Sequence, residues 1–422
     1  MVADVRPRSA HAATGGFDVA AVQKDFPILS RTFNGKRLVY LDSGATSHRP
    51  EQVVQAEMDL YRKSNANVHR GIYDLSEEAT VLFEAARDKI QGFIHAPARE
   101  ECVWTRGTTE SLNLLATVIG SKMEKGDEVV GTVMEHHSNH VPWQFLQKRG
   151  IVLKHVDIDE EGRLRLDQYE QLVTDRTKVV TVTQVSNVLG TINPIREIAR
   201  IAHRHGALCI VDGAQSVPHL PEDVRALECD ALAFSGHKML GPTGIGLLWA
   251  RRELLEKWDP FLGGGDMIRS VQLKEATWNE LPYKFEAGTP NIAGVVGLGA
   301  AVDYLQRLGM ENVRAHEEQL IRYGMKVLNA IPGVRVFGPP KPEEHSGVLS
   351  FWMDGAHPHD IADIMNSEAV SIRAGHHCAM PLMMRLQVPA TNRASVYVYN
   401  SEEDLDALGA GLQKVRSVFR LT

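Results

Sequence analysis

A mainly parallel α/β domain followed by a smaller α+β unit is what this sequence of 422 residues predicts. Three observations carry the prediction. Short, β-branched apolar runs alternate with amphipathic stretches over roughly the first three hundred residues, the signature of strand–helix units around a parallel sheet. After about Gly299 the texture changes to long helical periodicity and then to mixed short elements. The length also exceeds what one small core fills, so two or three cooperating units are expected.

Taken in order, the chain opens on MVADVRPRSAHAATGGFD, which lacks the apolar core of a secretory signal. It reads as a flexible tail ending at Gly15-Gly16. DVAAVQKDF then reads as a short helix. LVYLD, ECVWT, EVVGTV, IVLKHVDI, KVVTVTQV, ALCIVD, ALAFS and GIGLLWA read as buried strands, bounded by turn formers. VLFEAARDKIQGFI, ESLNLLATVIG and PIREIARIAHRHG carry helical periodicity between them. Beyond Gly299, LGAAVDYLQRLGMENVRAHEEQLIRYGMKVLNAI reads as a long helical stretch. VRVFG, GVLSFWM, DIADIMNSE, VSIRAG, ASVYVYN and a final helix, EEDLDALGAGLQKVRSVF, complete the second unit. No internal repeat or low-complexity segment interrupts this order.

Composition removes whole classes of function. The net charge of −7 carries no basic excess, which speaks against nucleic acid or an anionic membrane as partner. No apolar run approaches the ~20 residues that span a bilayer. The four cysteines, Cys102, Cys209, Cys229 and Cys378, form no C-x-x-C pair, so an internal zinc knuckle is not expected. Their scarcity suits a reducing, cytoplasmic setting.

In open α/β sheets, ligands bind beyond the carboxyl ends of strands, so polar residues just after the predicted strands are the candidates. In ALAFSGHKMLGPTGIG, Ser235, His237 and Lys238 follow a buried strand. A lone lysine is ordinarily a solvated surface residue. One desolvated behind a strand has the lowered pKa that an amine nucleophile needs. In ALCIVDGAQSVPH, Asp212 ends a strand 26 residues before Lys238. It either caps a helix or holds the ring nitrogen of a pyridoxal phosphate protonated. In WTRGTTESLNLLA, Thr108 and Thr109 stand where a helix starts, as a phosphate site or a simple N-cap. In MEHHSNHVPW, His136 and His140 have helix-face spacing, but no further ligand set accompanies them, and stacking on a cofactor ring fits His136 equally.

Among the thiols, Cys209 lies inside a strand, Cys102 opens one and Cys229 precedes one, so all three read as structural. Cys378 differs. It follows a glycine and two histidines in VSIRAGHHCAMPLM, with Arg373 upstream. A buried inert thiol is the default, and polar exposure is what makes one reactive.

Together these segments resemble the fold-type I, pyridoxal-phosphate-dependent enzymes of the class V aminotransferase group. The resemblance is closest to the SufS-type (group II) cysteine desulfurases. It runs from YLDSGATSHRP through VHRGIYDLS, RGTTE, MEHHSN, VSNVLGT, VDGAQS, FSGHKMLGPTGIG, FEAGTPN and RAGHHCAMPLM to NRASVYVYN. RAGHHCAMP separates it from group I, whose cysteine sits in a longer, Ser-rich loop. The resemblance implies a large cofactor domain over residues 35–305 with a mainly parallel seven-stranded sheet. A small α+β domain over 306–422 would carry the catalytic cysteine. Residues 17–34 would pack with that small domain, behind a tail over 1–16.

Site roles follow from the resemblance alone. Lys238 would carry the cofactor and move the substrate Cα proton. Asp212 would pair with the ring nitrogen, Gln215 with the ring O3′, and His136 would stack on the ring. Thr108, Thr109, Ser235 and His237 would hold the phosphate, and Thr289 would reach the phosphate of the other subunit in a homodimer. Asn187, Arg373 and Arg393 would grip the substrate carboxylate, with His69 and Arg70 also on the substrate. Cys378 would attack the sulfur of L-cysteine, release L-alanine and carry a persulfide to an acceptor, feeding the scaffold proteins of iron–sulfur cluster assembly. His357 and His359 either are plain surface residues or, in the case of His359, meet the zinc of a SufU-like acceptor. A SufE-like acceptor would need no such histidine. A selenocysteine lyase on the same scaffold has the same cofactor residues. A non-catalytic assembly scaffold is the reading from another class, and intact Lys238, Asp212 and Cys378 argue against it.

Overall fold

The computed structural model describes residues 17–421. The expected tail over 1–16 lies outside the described residues. Seven strands form the central sheet: β1 (Cys102–Thr105), β2 (Glu128–Thr132), β3 (Val152–Val156), β4 (Thr177–Thr183), β5 (Leu208–Asp212), β6 (Ala231–Ser235) and β7 (Gly246–Ala250). Their order across the sheet is β1-β7-β6-β5-β4-β2-β3. Every neighbouring pair is parallel except the two that β7 makes, with β1 and with β6.

Why most of these runs are apolar is visible in the packing. Helices cover both faces of the inner strands, so successive residues, which point to opposite faces, are buried there, whereas the edge strand β3 is mostly exposed or half-buried. Val103, Val129, Val179, Ile210 and Leu248 enter one core. Their neighbours Trp104, Val130, Val180, Val211 and Leu247 enter the other. Cys102, Cys209 and Cys229 belong to that second core, where they pack as small apolar side chains.

A second, antiparallel sheet is built by β8 (Val334–Phe337), β9 (Val348–Met353), β10 (Arg373–Gly375) and β11 (Thr391–Ser395), in the order β8-β9-β11-β10. It has its own core of Leu349, Phe351, Ala394, Leu405, Leu408 and Leu412, closed by the final helix Glu402–Phe419. Near residue 17 the chain also meets this half of the molecule. Phe17 stacks on His316 with ring centroids 4.3 Å apart, and the Gln23 amide donates to the Tyr399 carbonyl.

Three expectations differ from the structure. LVYLD joins no strand of the large sheet. Val39–Tyr40 pairs in parallel with Val370–Ser371, and Val39 and Leu41 are buried in the small core. A run of apolar residues cannot say which sheet claims it. The long helical stretch is two helices, Ile292–Leu308 and Met310–Asn329, broken at Gly309 with φ of 78°. Only glycine adopts that conformation readily. ASVYVYN is largely not a strand: β11 ends at Ser395, and Val396–Tyr399 are buried as irregular chain. The strand is instead the polar TNRAS, whose Asn392 and Arg393 are buried on specific partners. No helix among the described residues is long and apolar enough to cross a membrane.

Candidate active site

The carboxyl ends of β1, β2, β4, β5 and β6 lie along one edge of the large sheet, where the small sheet meets it. A cavity of about 320 Å³ opens there, lined by residues from both halves. Thr108, Thr109, His136, Asn187, Asp212, Gln215, Ser235, His237 and Lys238 face it from the large half, and Arg373, Cys378 and Arg393 from the small. A wider depression of about 820 Å³ around Glu84, Arg99 and Tyr283 lies apart and contains neither Lys238 nor Cys378.

Lys238 ends the tight turn Gly236–Lys238 that follows β6. Ser47 pins that turn, its N–H donating to the His237 carbonyl at 2.9 Å and its hydroxyl accepting from Leu240 N–H at 2.9 Å. Burial lowers the Lys238 pKa to about 8, against the opposing pull of Asp212. Asp212 is the last residue of β5 and only 3% exposed. Burial raises its pKa, although the Ala214 N–H donates to its Oδ1 at 2.9 Å and Lys238 lies near.

Gln215 spends its Nε2 on the Gly44 carbonyl at 2.7 Å, and its Oε1 is buried with no partner. The His136 ring accepts from the Ser138 N–H at its Nδ1, 3.1 Å away, which puts the ring proton on Nε2. Burial, Lys238 and neighbouring cations drop its pKa to about 3, so the ring is neutral at any physiological pH.

At the other end of the cavity the helix Thr108–Gly120 begins. The Thr108 N–H and hydroxyl meet the Ser235 hydroxyl at 2.9 and 2.8 Å, and the Thr109 hydroxyl meets Ser138 at 2.7 Å. Hydroxyls at a helix N-terminus form an anion seat. Glycine makes it fit: a Cβ on Gly246 would stand 2.5 Å from Gly107 Cα and 2.4 Å from the Phe234 carbonyl.

The small half brings two guanidinium groups to one carboxylate. Arg373 donates to Asp42 at 3.0 Å through Nη2, and buried Arg393 reaches the same group at 3.4 Å while donating to the Asn187 carbonyl at 2.8 Å. One carboxylate against two cations leaves net positive charge beside the cavity, suited to a carboxylate ligand.

Cys378 is exposed and sits at φ of 55°, after His377 at 50°. Such left-handed backbone costs roughly 1–2 kcal/mol per non-glycine residue. Neighbouring bonds hold the shape. Asn187 Nδ2 donates to the His377 carbonyl at 2.8 Å, and His377 Nε2 lies 2.9 Å from the Thr391 hydroxyl. Burial raises the pKa of Cys102 to about 12 and those of Cys209 and Cys229 further still.

Not every expected residue reaches the cavity. His69 and Arg70 do not line it. The His69 ring meets Glu84 at 2.8 Å and lies edge-on to Phe83 and Tyr283, and Arg70 pairs with Asp266. Carboxylates beside them hold both, so neither side chain reaches the cavity of its own chain. Thr289 is also absent from this cavity and faces another, of about 520 Å³, with Trp104, Gly244 and Asn291. The exposed His359 starts the helix Pro358–Ser367, its N–H on the His357 ring.

Three residues escaped sequence reasoning. Asp42, which holds both arginines, directly follows an apolar run, the same signal that singled out Asp212. Thr183 lines the cavity from the end of β4. Glu135, next to His136, is fully enclosed by Thr132, Asn139 and the Thr183 N–H at 2.7, 2.5 and 3.1 Å. No pattern in the sequence distinguishes it from a surface glutamate.

Comparison with known proteins agrees with this architecture. Residues 39–408 match the aminotransferase class-V family. A protein described as a probable cysteine desulfurase from Halalkalibacterium halodurans is 49% identical over 94% of this chain and 98% of its own length. The apo structure of a cysteine desulfurase from Thermococcus onnurineus superposes with a TM-score of 0.92 at 40% identity, covering 96% of this chain and all of that one. The cysteine desulfurase CsdA from Escherichia coli, in its S-sulfonic acid form, gives 0.88 at 37% identity over 96% of this chain and all of its own.

Proposed function

We propose that this chain, which belongs to the aminotransferase class-V family, is a pyridoxal-phosphate-dependent cysteine desulfurase. One observation carries the reading: a thiol from the small half, Cys378, lines the same cavity as the desolvated Lys238 and the buried Asp212. The residues present fit the cofactor. A buried carboxylate accepts a single N–H, a buried Gln215 Oε1 has no partner, and hydroxyls gather at a helix start.

When bound, pyridoxal phosphate supplies an electron sink at the substrate Cα. Asp212 would keep the ring nitrogen protonated, and Gln215 would bond the ring oxygen. His136, neutral and lining the cavity, would cover the ring. Thr108, Thr109, Ser235 and His237 hold the phosphate. Lys238, its amine pKa lowered by burial, would carry the cofactor and take and return the Cα proton. Arg373, Arg393 and Asn187 bind the carboxylate of L-cysteine. The Cys378 thiolate attacks the substrate sulfur: the new S–S bond forms as the Cβ–S bond breaks, and the electron pair stays on Cβ, which leaves as the methyl of L-alanine after protonation.

The finer reading is a SufS-type, group II enzyme of the cytoplasm. The short RAGHHCAMP loop supports it, and the persulfide sulfur goes on to iron–sulfur cluster assembly. Thr289, away from its own cavity, serves the phosphate of a second subunit in a homodimer. His359, exposed at a helix start, meets the zinc of a SufU-like acceptor.

Mass spectrometry after L-cysteine tests the core of this. One added sulfur on the Cys378 peptide is expected, and Cys378→Ala should stop alanine release. Full turnover in Cys378→Ala would overturn it. His359→Ala should abolish stimulation by a zinc-containing acceptor while leaving basal turnover intact. Unchanged stimulation would reject the SufU-like partner.

A further inference from the structure

We propose that His137 is a positioning residue that latches the Cys378 loop onto the cofactor-binding half. The inference rests on the desulfurase reading. Its geometry is a bracket. The His137 N–H donates to the Cys378 carbonyl at 2.7 Å. The Met380 N–H donates to His137 Nε2 at 3.2 Å. One residue thus grips the loop at the thiol residue itself and two residues beyond it.

Other bonds do not duplicate this grip. The Cys378 N–H goes to His376 Nδ1 and the Ala379 N–H to the His376 carbonyl, both internal to the loop. Asn187 ties the loop one residue earlier, at His377. The backbone at His377 and Cys378 is left-handed, a shape non-glycine residues do not hold unaided. His137 is also the immediate neighbour of His136, which faces the cavity. A loop fixed to His137 is therefore fixed relative to the cofactor seat. Small errors there matter, because reacting atoms displaced by about 1 Å can lose about a hundredfold in rate.

The latch requires a neutral His137, since Nε2 must accept. Its ring faces His376, with centroids 5.8 Å apart, and lies near His136 and His140. Burial first, and His376 second, hold the His137 pKa below its ordinary value, so the acceptor is present at neutral pH.

The test compares cofactor-loaded wild type, His137→Ala and His137→Gln, whose Oε1 extends about as far as Nε2 and can accept the same bond. His137→Ala keeps the backbone bond to Cys378 and removes only the acceptor of the Met380 N–H; it should slow single-turnover persulfide formation on Cys378 by about tenfold or more and speed amide exchange at Met380, while keeping the visible cofactor band. His137→Gln should recover most of both. Persulfide formation within about twofold of wild type in His137→Ala would overturn the latch, as would unchanged exchange. Loss of the visible band would also overturn it, by moving His137 into the cofactor seat. If wild type itself gains no sulfur, the desulfurase reading fails, and the exchange measurement still decides the latch.

Discussion

Replacing Glu135 with glutamine should remove a large pH dependence of stability. Burial pushes the Glu135 pKa up to about 8; Thr132, Asn139 and the Thr183 N–H oppose the shift, and nearby Asp212 adds to it. In an unfolded chain a glutamate titrates near ~4.3. Between these values the folded protein holds a proton that the unfolded chain has released. The stabilisation is complete below about pH 4.3, falls as pH rises, and is lost once pH passes about 8. At about 1.4 kcal/mol per unit, the full span is about 5 kcal/mol.

Glutamine has the size of the protonated acid and no charge. Its Oε1 can accept from Thr132 and Thr183. Its amide needs Asn139 to turn over, with Asn139 then donating to the Thr181 hydroxyl that now donates to it at 2.6 Å. That adjustment should cost about 1 kcal/mol or less at about pH 5. The assay is urea unfolding of both proteins at about pH 5 and about pH 8.5, followed by tryptophan fluorescence. The buried histidines His136, His237 and His345, with lowered pKa values, move stability the opposite way below about pH 6.5, equally in both proteins. They cancel in the difference. The variant should therefore gain several kcal/mol on wild type between the two pH values. A difference that stays constant would show that Glu135 ionises normally, and the reasoning would be wrong.

Three further outcomes are expected. Iodoacetamide should alkylate Cys378 alone in the native protein, because Cys102, Cys209 and Cys229 are buried; peptide mapping that finds any of those three modified at a comparable rate contradicts their structural role. Gly246→Ala should lower stability by about 3 kcal/mol, since its Cβ has only backbone to push against, and an unchanged melting temperature would refute the close approach of Gly107. In cofactor-free protein, the rate of regaining the visible band should rise with pH and level off above about 8, as the Lys238 amine loses its proton; a rate still climbing well beyond that would show an ordinary solvated lysine.

Much of this arrangement was legible because it is local. The inner strands of the large sheet read clearly, since burial on both faces leaves a continuous apolar run. Lys238 and Asp212 stood out because a polar residue straight after such a run must face an edge where ligands bind. What escaped detection depends on residues distant in sequence. LVYLD has the same texture as its sheet-forming neighbours, and only the fold reveals that Val370 claims it. TNRAS hides a strand because its polar side chains find partners, Arg393 on Asn187 and Asn392 on Pro358, that lie far away in the chain. Glu135 is unremarkable in sequence and unusual only because of the enclosure built around it. For His69 and Arg70 the sequence could not reveal that, within this chain, Glu84 and Asp266 hold both side chains away from the cavity.

The pairing of Val39–Tyr40 with Val370–Ser371 has a consequence for how the molecule comes into being. A ribosome makes about 330 further residues after Tyr40 before its partner strand exists. At roughly 5–20 residues per second that is a wait of about 15 seconds to a minute. Only in about the last third of that wait, once Ala250 has been made, can all seven strands of the large sheet assemble, with Lys238 and Asp212 in place, while Val39 and Leu41 still lack their partner strand. The thiol arrives only after this wait, eight residues beyond the start of the strand that pairs with Val39. The nascent protein thus completes its lysine and carboxylate well before it holds the cysteine that would take the sulfur.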